Sequence, residues 1–144
     1  MLSQIARPTQ ELQRQETWTP RLSQVSWIYS PACVCHDSNS PFSGKTASVN
    51  QLIAMLGEAF PDLKLTVEQI LLEEETAAVR WKIEGTHLGS LPEIAPTWRK
   101  INITGMSFLR FEHGQVVEEW TEWDALSMLE QLGLVNWPVH VLVH

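Results

Sequence analysis

The stretch GMSFLRFEHGQVVEEWTEWDALSMLEQLG, residues 105–133, decides the fold. Residues 106–111 mix aromatic and aliphatic side chains as a strand does, and His113-Gly114 supplies a turn able to take positive φ. Residues 116–123 return as a second strand, which makes the pair a β-hairpin. Asp124 then stands where a helix cap accepts from the orphan backbone donors of the first turn. Leu126, Met128, Leu129 and Leu132 recur at helical spacing, and Gly133 supplies the left-handed stop. A hairpin running into a capped amphipathic helix builds a sheet with a helix laid against it.

Upstream, residues 98–111 form one long strand whose Ile101, Ile103, Ser107, Leu109 and Phe111 share a face. The strand before it alternates as clearly. Ala77, Val79, Trp81, Ile83 and Gly85 lie on one side with His87 in phase, and Arg80, Lys82 and Glu84 lie on the other. Residues 63–72 make its partner, joined through Glu73-Glu74-Glu75. These carboxylates read as a solvated turn, because hard-cation sites draw on spaced ligands and loop carbonyls. Residues 46–59 give an amphipathic helix through Val49, Leu52, Ile53, Met55 and Leu56, closed by the Phe60-Pro61-Asp62 turn. Residues 37–44, DSNSPFSG, form a turn-rich loop after a short strand at 32–36. Thr19-Pro20 starts an early helix carrying Leu22, Val25, Trp27 and Ile28.

The expected class is α+β, with helices packed on the concave face of a curved antiparallel sheet. The expected organisation is an arm or frayed helix at 1–18, a domain at 19–136 and an apolar, β-prone tail at 137–144. That tail, WPVHVLVH, would be a hazard if left bare, so it is expected to pack on the domain or across an interface.

The totals narrow the functions. A net charge of −7, with ten scattered Lys and Arg, lacks the basic stripe that nucleic acid requires. No apolar run approaches a membrane span. Two cysteines and no secretory apolar stretch near the start point to a reducing, cytoplasmic setting. In ACVCHD, Cys33, Cys35 and His36 resemble a metal fragment, yet no second ligand pair follows at suitable spacing, so no metal is expected. Seven Trp against one Tyr mark core, pocket wall or interface.

GTHLG at 85–89, APTWRKI at 95–101, VVEEW at 116–120 and WDALSMLEQLG at 123–133 together resemble the SnoaL-like polyketide cyclases, within the nuclear-transport-factor-two-like superfamily. The Phe60-Pro61-Asp62 turn and Ser43-Gly44-Lys45 fit as well. The resemblance implies a cone-shaped, cystatin-like α+β barrel with a pocket between sheet and helices, a hydrophobic small-molecule ligand, a homodimer packed through sheets, and cofactor-free aldol closure of an aromatic polyketide ester. It places the family's acid–base aspartate at Thr121 and an assisting histidine at Ser107, so this chain departs from the pattern at both. A threonine hydroxyl is a weak proton carrier near pH 7.

If Thr121 faces the pocket, period-two alternation sets Val117, Glu119 and Trp123 beside it, and Glu119 becomes the carboxylate nearest the vacated place. An apolar pocket would raise its pKa and suit it to proton transfer; a rotated strand would leave it solvated. His87 is the candidate partner, against the plainer reading of a satisfied core histidine. Arg99 is a candidate for a ligand carboxylate, with a surface ion pair as the plainer reading. Trp81, Trp98, Trp27, Tyr29 and Trp123 are candidate walls, while Thr121 and Ser107 would orient a ligand. Two readings follow: a cyclase- or isomerase-type enzyme using Glu119 and His87, or a non-catalytic dimeric binding module.

Overall fold

The structure is a computed structural model that describes residues 27–40, 43–44 and 48–136. The expected arm at 1–18, most of the early helix and the tail at 137–144 lie outside the described residues. Five strands, β1 (Tyr29–His36), β2 (Lys64–Glu73), β3 (Thr76–Thr86), β4 (Lys100–Glu112) and β5 (Gln115–Trp123), form one sheet in the order β1-β5-β4-β3-β2. Helix α1 (Ser48–Ala59) connects β1 to β2, and α2 (Ala125–Gln131) follows β5.

The α+β class is as expected, with one correction to the sheet. The meander β2 to β5 is antiparallel, but β1 pairs with β5 in parallel, Cys35 opposite Glu119 and His36 opposite Trp120. The sheet is therefore mixed, and it stays open with β1 and β2 at its edges. A parallel neighbour needs a long crossover rather than a hairpin, and the chain between β1 and β5 is long enough to supply it. β1 also starts at Tyr29, three residues earlier than its sequence pattern suggests.

The turns explain the meander. His113 and Gly114 both take positive φ, as the type I′ turn that matches strand twist requires. At the other end Glu74 is in the left-handed region and Thr76 Oγ1 donates to the Glu73 carbonyl at 2.7 Å. β4 alternates cleanly, with Ile101, Ile103, Gly105, Ser107 and Phe111 buried on the inner face. Between β4 and β5 the register slips at Arg110 and Phe111, so Phe111 faces Val116, Arg110 faces Glu118 and Val117 is left over on β5. That bulge gives the inward position to Val116, which is fully buried, instead of the expected Val117. Glu119 and Thr121 keep the phase expected of them.

The core has two halves over the inner face. Cys33, Cys35, Val49, Val67, Val79, Phe111 and Val116 form one; Ala59, Phe60, Ile83, Ile101, Ile103, Met128 and Leu132 form the other. Asp124 caps α2 by accepting from Ser127 N at 3.0 Å, and Gly133 with φ 76° ends it, as its sequence implies. The last carbonyl of α1 is satisfied by the loop after β3: Leu88 N and Gly89 N both donate to the Ala59 oxygen at 3.0 Å.

Only glycine fits at 89. A Cβ there would lie 2.0 Å from the Glu58 carbonyl oxygen, and backbone cannot swing aside as a side chain can. We expect Gly89→Ala to lift α1 off the sheet and destabilise the fold by about 1–3 kcal/mol, read from chemical denaturation midpoints. A midpoint equal to the parent's would refute this packing.

Candidate functional site

A cavity of about 530 Å³ lies between the inner face of the sheet and α1. Its wall is largely aliphatic, with Leu52, Ile53, Leu56, Val67, Val79 and Leu109 prominent. Such a chamber suits a hydrophobic small molecule. Two carboxylates, Glu119 and Asp37, open onto it, and no Lys, Arg or His is among its described lining residues.

The polar end is built from three neighbouring strands. Ser107 on β4 faces Val79 on β3 and Thr121 on β5. Trp81, opposite Gly105, lays its indole flat across that glycine; a Cβ there would meet the ring at 2.3 Å. The missing side chain lets Trp81 Nε1 reach Ser107 Oγ at 2.9 Å. Ser107 Oγ lies 2.9 Å from Thr121 Oγ1, and Thr121 Oγ1 donates to Glu119 Oε1 at 2.9 Å. An indole N–H only donates, so Trp81 gives its proton to Ser107, and the contacts run on from Ser107 through Thr121 to Glu119. The chain ends on a carboxyl group.

Glu119 is 8% exposed. Burial pushes its pKa up, hydrogen bonds from Thr121, Ser107, Tyr29 and Cys35 pull it back, and burial wins. Tyr29 is itself pushed well above its ordinary value, first by burial and then by Glu119. Cys33 is pushed up to about 12, again chiefly by burial, and Cys35 is raised for the same reason. These groups therefore stay protonated and act as donors, leaving Glu119 as the proton acceptor among them.

The expected site residues divide by position. Glu119, Thr121, Ser107, Trp81, Tyr29 and Trp123 are brought together on the cavity wall. Trp27 also lines it at the rim, although it is 83% exposed. His87, Trp98 and Arg99 do not line it. His87 is fully buried at the far end of β3, with Nδ1 3.0 Å from Thr97 Oγ1 and accepting from Thr97 N at 3.1 Å. Its ring packs against Phe60 at a centroid distance of 5.4 Å, and burial lowers its pKa. It is a core histidine in position and is not placed beside Glu119.

Trp98 sits before β4 with φ 62°, so the strand begins two residues later than its sequence suggests and the indole points into solvent, 73% exposed. Arg99 lies over Gly133, where a Cβ would meet its Cζ at 2.8 Å, a favourable place for a cation beside the end of α2.

Sequence reasoning missed Asp37 and Cys35 as wall residues. Asp37 reads as part of a polar turn; the signal available was its position two residues beyond Cys35, in the same phase. Among the described residues no group of three or more His, Cys, Asp and Glu could hold a metal ion, and no helix is long and apolar enough to cross a membrane.

The comparisons agree with this geometry. The family model described as SnoaL-like polyketide cyclase matches residues 10–132. AclR of Streptomyces galilaeus, described as a proposed hydroxylase, is 32% identical, covering 84% of this chain and 80% of its own, with a TM-score of 0.68. IdmH of Streptomyces antibioticus, a proposed polyketide cyclase, is 28% identical over 78% of this chain and 86% of its own, with a TM-score of 0.62. A proposed polyketide cyclase of Acidithiobacillus ferrooxidans is 22% identical over 93% and 94%, with a TM-score of 0.69, a likeness of fold alone. No curated protein matches the sequence.

The raised pKa of Glu119 has a thermodynamic consequence. The folded state holds the proton more tightly than the unfolded chain, so stability is fully present below the ordinary value of 4.5 and is lost as pH rises through the folded value. We expect Glu119→Gln to gain in melting temperature relative to the parent between pH 4 and pH 8. A difference that stays constant across that range would show that Glu119 is not raised.

Proposed function

This chain belongs to the SnoaL-like polyketide cyclase family, and from that premise we propose that it is a cofactor-independent enzyme of cyclase or isomerase type acting on a hydrophobic carbonyl compound. The observation that carries the reading is the buried Glu119 carboxyl, donor-supplied and raised in pKa, at the polar end of an open apolar cavity.

As carboxylate, Glu119 takes a proton from a carbon next to the ligand carbonyl. The resulting enolate carbon bonds to a second carbonyl carbon, whose π electrons move to its oxygen. Protonated Glu119 then returns the proton to that alkoxide, so nothing is consumed and one carbon–carbon bond is made. A carboxyl with raised pKa serves both halves, being a stronger base before the transfer and a neutral acid after it. Tyr29, a neutral phenol whose hydrogen bond reaches Glu119, helps to set that carboxyl's proton affinity. Thr121 and Ser107 hold the carboxyl in one orientation, with Trp81 behind them. Glu119 thus takes over from the family aspartate at the adjoining inward position. One fold can serve several chemistries, and AclR carries the description of a proposed hydroxylase.

We propose further that two copies pair through the outer face of the sheet, in a reducing, cytoplasmic setting that keeps Cys33 and Cys35 as thiols. Leu71, Ala78, Phe108 and Trp120 stand opposite one another in successive strands, and three of them are exposed large hydrophobics. His36 stacks on Trp120 at 5.4 Å and bonds Glu118 at 2.8 Å, while Arg110 holds the other Glu118 oxygen. An apolar row framed by ion pairs is suited to an isologous contact.

With an aromatic polyketide ester as substrate, Glu119→Gln should lower kcat by about 10²–10⁴-fold while ligand affinity changes little. Turnover equal to the parent's would make the cavity a binding site only. Thr121→Asp should gain aldol activity by restoring the family's carboxylate. For assembly, Trp120→Glu should convert a dimer to a monomer in light scattering; a parent that is already monomeric at micromolar concentration would refute the pairing.

A further inference from the structure

Asp37 is a buried carboxylate that the chemistry above leaves unused. It is 3% exposed, yet it lines the cavity. Its Oδ1 accepts from Asn39 N at 2.9 Å and from Trp123 Nε1 at 3.1 Å, and its Oδ2 accepts from the same indole at 2.9 Å. A carboxylate offers about four acceptor positions, and one shared indole proton with one backbone amide does not fill them. The deficit falls on Oδ2, whose one donor among the described residues is an indole proton it shares with Oδ1.

The described residues on either side of Asp37 are tied together by hydrogen bonds. Asp37 N donates to Ser43 Oγ at 2.8 Å, Ser40 N to the Asp37 carbonyl at 3.0 Å, and Gly44 N to the Cys35 carbonyl at 2.8 Å. No cation among the described lining residues neutralises Asp37 from the cavity side. A fixed carboxylate in an apolar wall, short of donors, is matched by a donor on the ligand.

Its place relative to Glu119 gives the spacing. β1 runs parallel to β5 with Cys35 opposite Glu119 and His36 opposite Trp120, and Asp37 follows directly after the end of β1, which carries it toward the Thr121 level. Two residues of strand rise separate the Asp37 level from the Glu119 level, roughly 7 Å.

We propose that Asp37 is a specificity-determining residue that contacts the ligand, accepting a hydrogen bond from a phenolic or enolic hydroxyl carried roughly 7 Å from the group that meets Glu119. This rests on the reading of the cavity as the site of a hydrophobic ligand. The ligand class it selects is a fused-ring compound with a free hydroxyl; the corresponding methyl ether has no proton to offer and is not recognised at this point.

The test uses 2-hydroxyanthracene and 2-methoxyanthracene as probes, with binding followed by quenching of tryptophan fluorescence. In the parent, the hydroxyl probe should bind more tightly than the ether. Asp37→Asn should weaken the hydroxyl probe by about tenfold and leave the ether within about twofold, since the charged acceptor is lost to the hydroxyl while the amide oxygen can still accept from Asn39 N and Trp123 Nε1. Equal weakening of both probes would reduce Asp37 to a brace for Trp123 and overturn the proposal, as would no change in either. If Asp37→Asn fails to fold, Trp123→Phe decides. Removing the competing indole proton should tighten the hydroxyl probe several-fold relative to the ether, and no such selective gain would overturn the proposal. A parent that binds the ether but shows no Asp37 effect leaves the cavity reading standing. A parent that binds neither probe defeats both.

Discussion

A carboxyl group taken out of water must be given donors or a proton, and Glu119 imposes that constraint on everything around it. Thr121 donates to it at 2.9 Å, Ser107 stands behind Thr121 and Trp81 behind Ser107. Each link comes from a different element: the neighbouring position of β5, then β4, then β3. The antiparallel register must be right on two ladders for the chain to close, and Gly105 must lack a side chain for Trp81 to lie across it. β1 completes the set by bringing Tyr29 and Cys35 to the same carboxyl from the parallel side. A one-residue slip in any of these pairings would turn the donor outward and leave the carboxyl unsatisfied.

The same sheet separates two surfaces of unlike chemistry. Inward positions carry aliphatic walls and the polar end with Glu119; outward positions carry Phe108, Trp120 and the His36–Glu118–Arg110 cluster. The bulge between Arg110 and Phe111 lies at the junction of the two. It keeps Phe111 and Val116 in the core on one side of the slip and Glu119 and Thr121 in the cavity wall on the other. α1 roofs the cavity because the loop after β3 ties its last carbonyl down at a glycine.

Much of this was legible residue by residue. Strict alternation in β3 and β4 reported the inner face correctly, because each strand has one side in the core and one side outward. Asp124 and Gly133 marked both ends of α2 by cap chemistry that depends on local backbone alone. Where the reading differed, a nonlocal cause intervened. Val117 lost its inward place to a bulge that exists only once β4 and β5 pair. Trp98 left the strand because its backbone turns left-handed where the loop rejoins β3, with Trp98 N bonded to the His87 carbonyl. His87 kept its phase, but the cavity ends before it does.

By itself, then, the order of residues determined the α+β class, the meander, the inner faces of its strands, the caps and the family. These follow from periodicity and turn chemistry, which act over a few residues. The tertiary structure alone decided that β1 joins β5 in parallel, that Asp37 and Cys35 reach the cavity, and that His87, Trp98 and Arg99 do not. Those outcomes depend on which strands lie side by side and where the register slips, and contacts between residues dozens of positions apart leave no pattern in any short window of sequence.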